Sequence, residues 1–173
     1  MKKLIYLFLI FFLYSCAVIF KNPTNKNTDF PDLVLGDFKY ESADESGTKE
    51  WELRASEAKM YNTKNEIYLY NMAMTFFNPD GTTKSFLSAN GGYMNKLTSD
   101  IYAEGKVKIL SDNQSTLEAN KVYWDNKKKI FYSNPDELVV LRRGNSVIRG
   151  YNLLADAGLK QVTLDNSKGK VSK

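Results

Sequence analysis

At 173 residues the chain has room for one domain of ordinary size, and a 43% hydrophobic share excludes a disordered one. The net charge of +4, of which Lys2 and Lys3 supply two units, is too mild and too dispersed to argue for nucleic acid as a partner. With no histidine and Cys16 as the only cysteine, an internal disulfide, a Cys-based zinc site and a Cys–His pair are all excluded.

Residues 1–20, MKKLIYLFLIFFLYSCAVIF, place two lysines before an unbroken apolar or weakly polar run, the pattern of an export or membrane signal. Two readings compete. In one, Leu13-Tyr14-Ser15-Cys16 is a lipoprotein box and Cys16 becomes a lipidated first residue; in the other, Leu4 to Phe20 is a retained transmembrane helix. Either way Lys2 and Lys3 stay cytoplasmic and the remainder is exported. Residues 21–31, polar and carrying Pro23 and Pro31, read as a linker. A domain is expected over 32–165, with a frayed tail over 166–173.

The domain opens with a strand over Pro31–Tyr40, followed by the polar turn Ser42 to Gly47. Trp51, Leu53 and Ala55 then alternate with charged residues, the period-2 mark of a strand with one wet face. Turns at Asn62-Thr63-Lys64-Asn65 and Asn78-Pro79-Asp80-Gly81 bracket a return strand from Ile67 to Phe77. A second unit pairs Ser85–Tyr93 with Ile101–Leu110. A third runs from Leu117, turns at Asp125-Asn126 and ends at Arg143-Gly144-Asn145; a fourth pairs Val147–Leu154 with Leu159–Leu164. The unit openings Leu53-Arg54-Ala55-Ser56, Leu87-Ser88-Ala89-Asn90, Leu117-Glu118-Ala119-Asn120 and Ile148-Arg149-Gly150-Tyr151 lie 34, 30 and 31 residues apart. Such a period signals stacked supersecondary units that bury their apolar faces against each other. The expectation is all-β, eight to nine antiparallel strands of repeated hairpins.

A single parity is expected to face inward: Leu53/Ala55, Leu87/Ala89, Leu117/Ala119 and Ile148/Gly150 on the outgoing strands, Ile67/Leu69, Ile101/Ala103, Ile130/Tyr132 and Val162/Leu164 on the returns. The small residues at matched positions keep one line of the inner face shallow. In a closed core this only adjusts packing; in a sheet folded over without closing it leaves an apolar trough suited to acyl chains. Catalytic chemistry is poorly represented. Asp44/Glu45 and Asp136/Glu137 sit beside turns and read as solvated carboxylates, Gly91-Gly92 lacks the sequel of a phosphate loop, and Lys127-Lys128-Lys129 reads as a solubilising run. No catalytic residue, metal site or cofactor is expected.

Three segments, Gly47-Thr48-Lys49-Glu50-Trp51-Glu52-Leu53-Arg54-Ala55-Ser56-Glu57-Ala58, Ile101-Tyr102-Ala103-Glu104-Gly105-Lys106-Val107-Lys108-Ile109 and Val147-Ile148-Arg149-Gly150-Tyr151-Asn152-Leu153-Leu154-Ala155-Asp156, resemble the LptC family in order and spacing, together with the N-terminal anchor. Its relatives are the LptA and OstA-type domains. The resemblance implies an open, twisted antiparallel β-jellyroll on the periplasmic side of the inner membrane. It implies a non-enzymatic role that receives lipopolysaccharide from the LptF/LptG permease with its LptB ATPase and passes it to an LptA-like periplasmic bridge. On this reading the lipid groove is lined by Leu53, Ile67, Leu69, Leu87, Ile101, Leu117, Ile130, Ile148 and Val162. The docking edge is formed by Gly150, Leu159, Val162 and Leu164, with Gly150 matching a family glycine that matters for assembly. The rival is an envelope-anchored scaffold or adhesin with a closed core and no lipid cargo.

Overall fold

The alternation, the hairpin turns and the absence of any crossover long enough for a helix give one antiparallel sheet of ten strands. In the computed structural model, which describes residues 30–171, these are β1 (Leu33–Ala43), β2 (Lys49–Tyr61), β3 (Glu66–Phe77), β4 (Thr83–Asn95), β5 (Ile101–Ser111), β6 (Thr116–Asp125), β7 (Ile130–Tyr132), β8 (Val139–Arg143), β9 (Ser146–Asp156) and β10 (Val162–Val171). Each strand hydrogen-bonds to its successor up to β7; β7 and β8 then lie between β6 and β9, and β10 follows β9. The outermost strands, β1 and β10, each have one neighbour, so the sheet is open and of jellyroll type. The segment 1–20 and Cys16 lie outside the described residues.

The single inward parity does not hold, because the sheet is creased. In β2 the buried positions run Trp51, Leu53, Ala55 and then switch to Ala58; in β3 they run Ile67, Leu69 and switch to Met72, Met74, Phe76. The switch recurs at Ala89 to Met94 in β4, Leu117 to Val122 in β6 and Gly150 to Leu153 in β9. Left-handed residues mark the crease on alternate strands: Asp37 (φ 49°), Asn71 (49°), Gly105 (76°), Lys106 (54°) and Asn152 (51°). Asn and Asp tolerate this region because their side chains bond locally to the backbone. On the intervening strands the crease falls on the last residue of the repeat motif, Ser56, Asn90 and Asn120. Both halves of each long strand thereby face one interior and belong to one buried cluster.

Backbone groups released from the ladder at the crease are satisfied by side chains. The N–H groups of Asn120 and Lys121 donate to one Glu137 carboxylate oxygen at 2.7 and 3.1 Å, and the N–H of Leu153 donates to Ser133 Oγ at 3.0 Å. Glu137, expected as a solvated turn residue, is therefore a cap on the crease. Asp44, another of the acids placed beside turns, accepts the N–H groups of Ser46 and Thr48 and is held below its usual range first by the Ser46 hydroxyl. Gly91-Gly92 sits where three strands pinch together: a β-carbon on Gly92 would lie 1.9 Å from the Tyr102 carbonyl oxygen.

Three further expectations are corrected. The return expected from Ile130 is broken into β7 and β8, because residues 133–138 cross the crease as an excursion containing Pro135, which cannot donate to a ladder. In β7, Ile130 and Tyr132 face outward and Phe131, fully buried, faces inward opposite Trp124. The last strand is not Leu159–Leu164 with a frayed tail after it; β10 runs from Val162 to Val171, and Lys168, Gly169, Lys170 and Val171 pair with Arg149, Ile148, Val147 and Ser146.

Candidate functional site

The interior is built from two unbroken rows of inward side chains. In the first half-sheet Leu53, Met74, Leu87, Ile109, Leu117 and Leu141 follow one another in register, all at most 4% exposed. The row reaches Ile148 on β9, which is only half-buried. In the second half-sheet the row is Met60, Ile67, Met94, Ile101, Trp124, Phe131, Ala155 and Val162. Eight of the nine expected groove residues face this interior; Ile130 does not. Leu53, Ile67, Leu69, Leu87, Ile101 and Leu117 are buried, while Ile148 and Val162 are half-buried.

The expected shallow line is filled by its neighbours. Ala55, Ala89, Ala119 and Gly150 alternate across the strands with Phe38, Met72, Val107 and Val139, so large residues from one strand occupy the space left by small ones on the next. Such alternation brings interiors to close packing. Coverage thins at two corners. Leu35 and Met60 beside the β1 edge, and Leu164 beside the β10 edge, pack against the core while remaining half-buried.

The halves meet along a seam of strand ends. Phe76 packs on Trp124 and Phe131 with ring centroids 4.6 and 5.2 Å apart. Trp51 Nε1 donates to Asn126 Oδ1 at 3.0 Å, Lys129 pairs with Glu50 at 2.7 Å and Ser85 Oγ donates to the Ala157 carbonyl. Arg143 donates to the Leu159 carbonyl and to Ser115 Oγ. Leu159, expected on the docking edge, is instead a fully buried residue of the β9–β10 turn with φ 51°, closing this end of the interior. A cleft of about 160 Å³ opens at the seam, with Trp51, Phe76 and Trp124 among its lining residues together with Lys49, Lys84 and Lys129. Lys84 has no ion-pair partner among the described residues, whereas Lys49 and Lys129 do.

The other docking-edge residues fall together. Gly150 is buried against β10: a β-carbon there would lie 2.8 Å from Leu164 Cβ and 2.9 Å from the Asp165 carbonyl oxygen. Val162 and Leu164 lie on the edge strand itself. The cations of β5 and β8 are dispersed. Arg143 is committed to the seam, Arg142 faces Glu118 at 3.6 Å, Lys106 sits at the crease and Lys108 is exposed on the outer face. Among the described residues no acid cluster is suited to hold a metal ion.

A stripe of tyrosines escaped sequence reading. Tyr61, Tyr68, Tyr93, Tyr102, Tyr123 and Tyr132 pack ring on ring in succession along the outer face of the second half-sheet, their centroids 5.0–5.9 Å apart. Burial among the rings raises the phenol pKa of Tyr68, Tyr93, Tyr102 and Tyr132. A matching tyrosine in successive hairpins was its only signal, and the stripe exists only once the register is known.

An open jellyroll-type sheet with two free edges and one continuous apolar interior is what the chain presents for comparison with known proteins. The family model for lipopolysaccharide-assembly, LptC-related proteins matches residues 4–170. The chain belongs to the LptC family. No curated protein matches it. Membership gives an LptC-related chain a role in lipopolysaccharide export at the cell envelope.

Proposed function

We propose that this LptC-family chain is a non-enzymatic segment of a lipopolysaccharide path. It receives the lipid from an inner-membrane ABC transporter of LptF/LptG/LptB type and hands it to an LptA-like periplasmic bridge. The supporting observation is the pair of inward apolar rows, which run without a polar interruption from the β1 side to the β10 side and lose cover at both edges. Acyl chains gain roughly 0.8 kcal/mol per buried CH₂ on such a surface. Because Leu53, Leu87 and Leu117 already fill the interior, the lipid occupies it by parting the two halves at the seam, where Trp51, Phe76 and Trp124 offer acyl chains further apolar surface. The transporter and the bridge use the free strands β1 and β10, whose outer backbone groups are unpaired within the sheet. Residues 1–20 hold the domain at the inner membrane, by a spanning helix or by lipid on Cys16.

The filled interior itself favours the rival reading, an envelope scaffold with a closed core. Photo-crosslinking separates the two. Benzophenone side chains at Leu87, Leu117 and Phe131 are expected to capture lipopolysaccharide in cells, and those at the outward positions Ser88 and Glu118 are not. Adducts from the outward positions alone, or from none, would reject the lipid path and leave the scaffold.

A further inference from the structure

The two edges of the sheet differ in charge. At the β1 edge each of these cations is ion-paired, four sharing three carboxylates: Lys39 pairs with Glu41 and Glu52, Lys49 with the same two acids, Arg54 with Glu52 and Lys59 with Glu57. Toward the β10 edge the outer face carries Lys108, Arg142, Arg149, Lys168 and Lys170, placed on one side by the registers Lys108–Glu118–Val140–Arg149–Lys168 and Thr116–Arg142–Val147–Lys170. Among the described residues, the one ion pair these cations make is that of Arg142 with Glu118. Asp165, the acid of β10, is displaced to the crease and accepts a hydrogen bond from Asn152 Nδ2. Residues 30–171 hold equal numbers of basic and acidic residues, so this field is a segregation of charge and not a surplus in the domain.

We infer that the outer face beside β10 selects a partner whose added strand presents acidic side chains on that face, opposite Lys168 and Lys170. The occupant is a protein strand, because the cations end on a free strand whose backbone can continue the ladder, and an added strand falls within reach of Lys168 and Lys170 at cross-strand distance. Lysines that only blunted the edge would account for Lys168 and Lys170 and leave Arg149, directly beside them on β9, without a role. Antiparallel self-pairing of β10 centred on Gly169 would set Lys168 opposite Lys170, and like charges in that position repel. This proposal rests on the preceding reading for the use of the β10 edge and adds the chemistry of the partner.

The test uses the full chain in detergent micelles and two short fluorescent peptides with the same alternating apolar residues, one carrying glutamate and one lysine at the alternate positions. The acidic peptide is expected to bind about tenfold more tightly, to weaken as salt rises, and to lose binding when its backbone is N-methylated at alternate residues. The K168E/K170E variant is expected to reverse the preference. Equal binding of the two peptides, no binding of either, or an unreversed preference in the variant would overturn the proposal. Undiminished binding of the N-methylated acidic peptide would overturn the strand geometry, and displacement of the acidic peptide by phosphatidylglycerol vesicles but not by phosphatidylcholine vesicles would assign the face to a membrane surface instead. No lipid cargo is involved, so a failed lipid path would leave this result standing, and the reverse also holds.

Discussion

One substitution, glycine to alanine, should be global in its cost at one position of this sheet and largely local at another. At Gly92 the new β-carbon would fall 1.9 Å from the Tyr102 carbonyl oxygen and 3.0 Å from Met72 Sδ, between β3 and β5, both of which are held on their far sides. Neither backbone has room to retreat, so the cost should reach or exceed the upper part of the overpacking range, about 3 kcal/mol. For a domain of this size that is a fall in Tm of roughly 6–12 °C. At Gly150 the β-carbon would lie 2.8 Å from Leu164 Cβ and 2.9 Å from the Asp165 carbonyl oxygen, but β10 is an edge strand with a single neighbour and already bulges there. It should swing outward, limiting the global loss to about 1 kcal/mol while the strand opens locally. Thermal unfolding with amide hydrogen exchange reads both effects. Faster exchange at 168–171 with a small Tm change is expected for Gly150→Ala, and a large Tm change for Gly92→Ala. If the order of the two Tm shifts is inverted, or β10 exchange is unchanged in Gly150→Ala, the edge-relaxation reasoning is wrong.

The inverted face of β7 predicts that Phe131→Ala costs about 3–5 kcal/mol and Ile130→Ala under about 1 kcal/mol in urea unfolding; the reverse ranking would return Ile130 to the core. Glu52 is held down at about 2, first by Lys49 and then by Arg54. A depressed carboxylate contributes stability above its unfolded value, so that contribution should fade as pH drops from about 4.5 toward 2. Since its cationic partners are substantially exposed, the amount is about 1 kcal/mol, and Glu52→Gln should flatten that stretch of the stability–pH curve; an unchanged slope counts against the cluster. Removing Arg143 leaves Ser115 Oγ and the Leu159 carbonyl without their donor, so Arg143→Ala should cost about 1–3 kcal/mol and speed exchange at the Leu159 amide. Protection unaltered at Leu159 would show that the turn is held by packing alone.

Much of this protein is written locally. Turn chemistry at Asn78-Pro79-Asp80-Gly81 and Arg143-Gly144-Asn145, period-2 alternation and the recurring Leu-x-Ala unit determine an antiparallel meander and place Leu53, Leu87 and Leu117 on the buried face, because each is a property of a few neighbouring residues. The same motif carried the crease in its last residue, yet Ser56, Asn90 and Asn120 read as ordinary polar positions, since a parity switch is invisible until the strand beside it supplies a register. For that reason the inward side of β7, the burial of Leu159 and the row of six packed tyrosines required the tertiary structure. Each depends on which strand lies next to which, and on two half-sheets meeting at a seam between residues as distant in sequence as Trp51 and Asn126. Alternation alone makes the sheet; the fold across its middle decides which side of each strand becomes the interior.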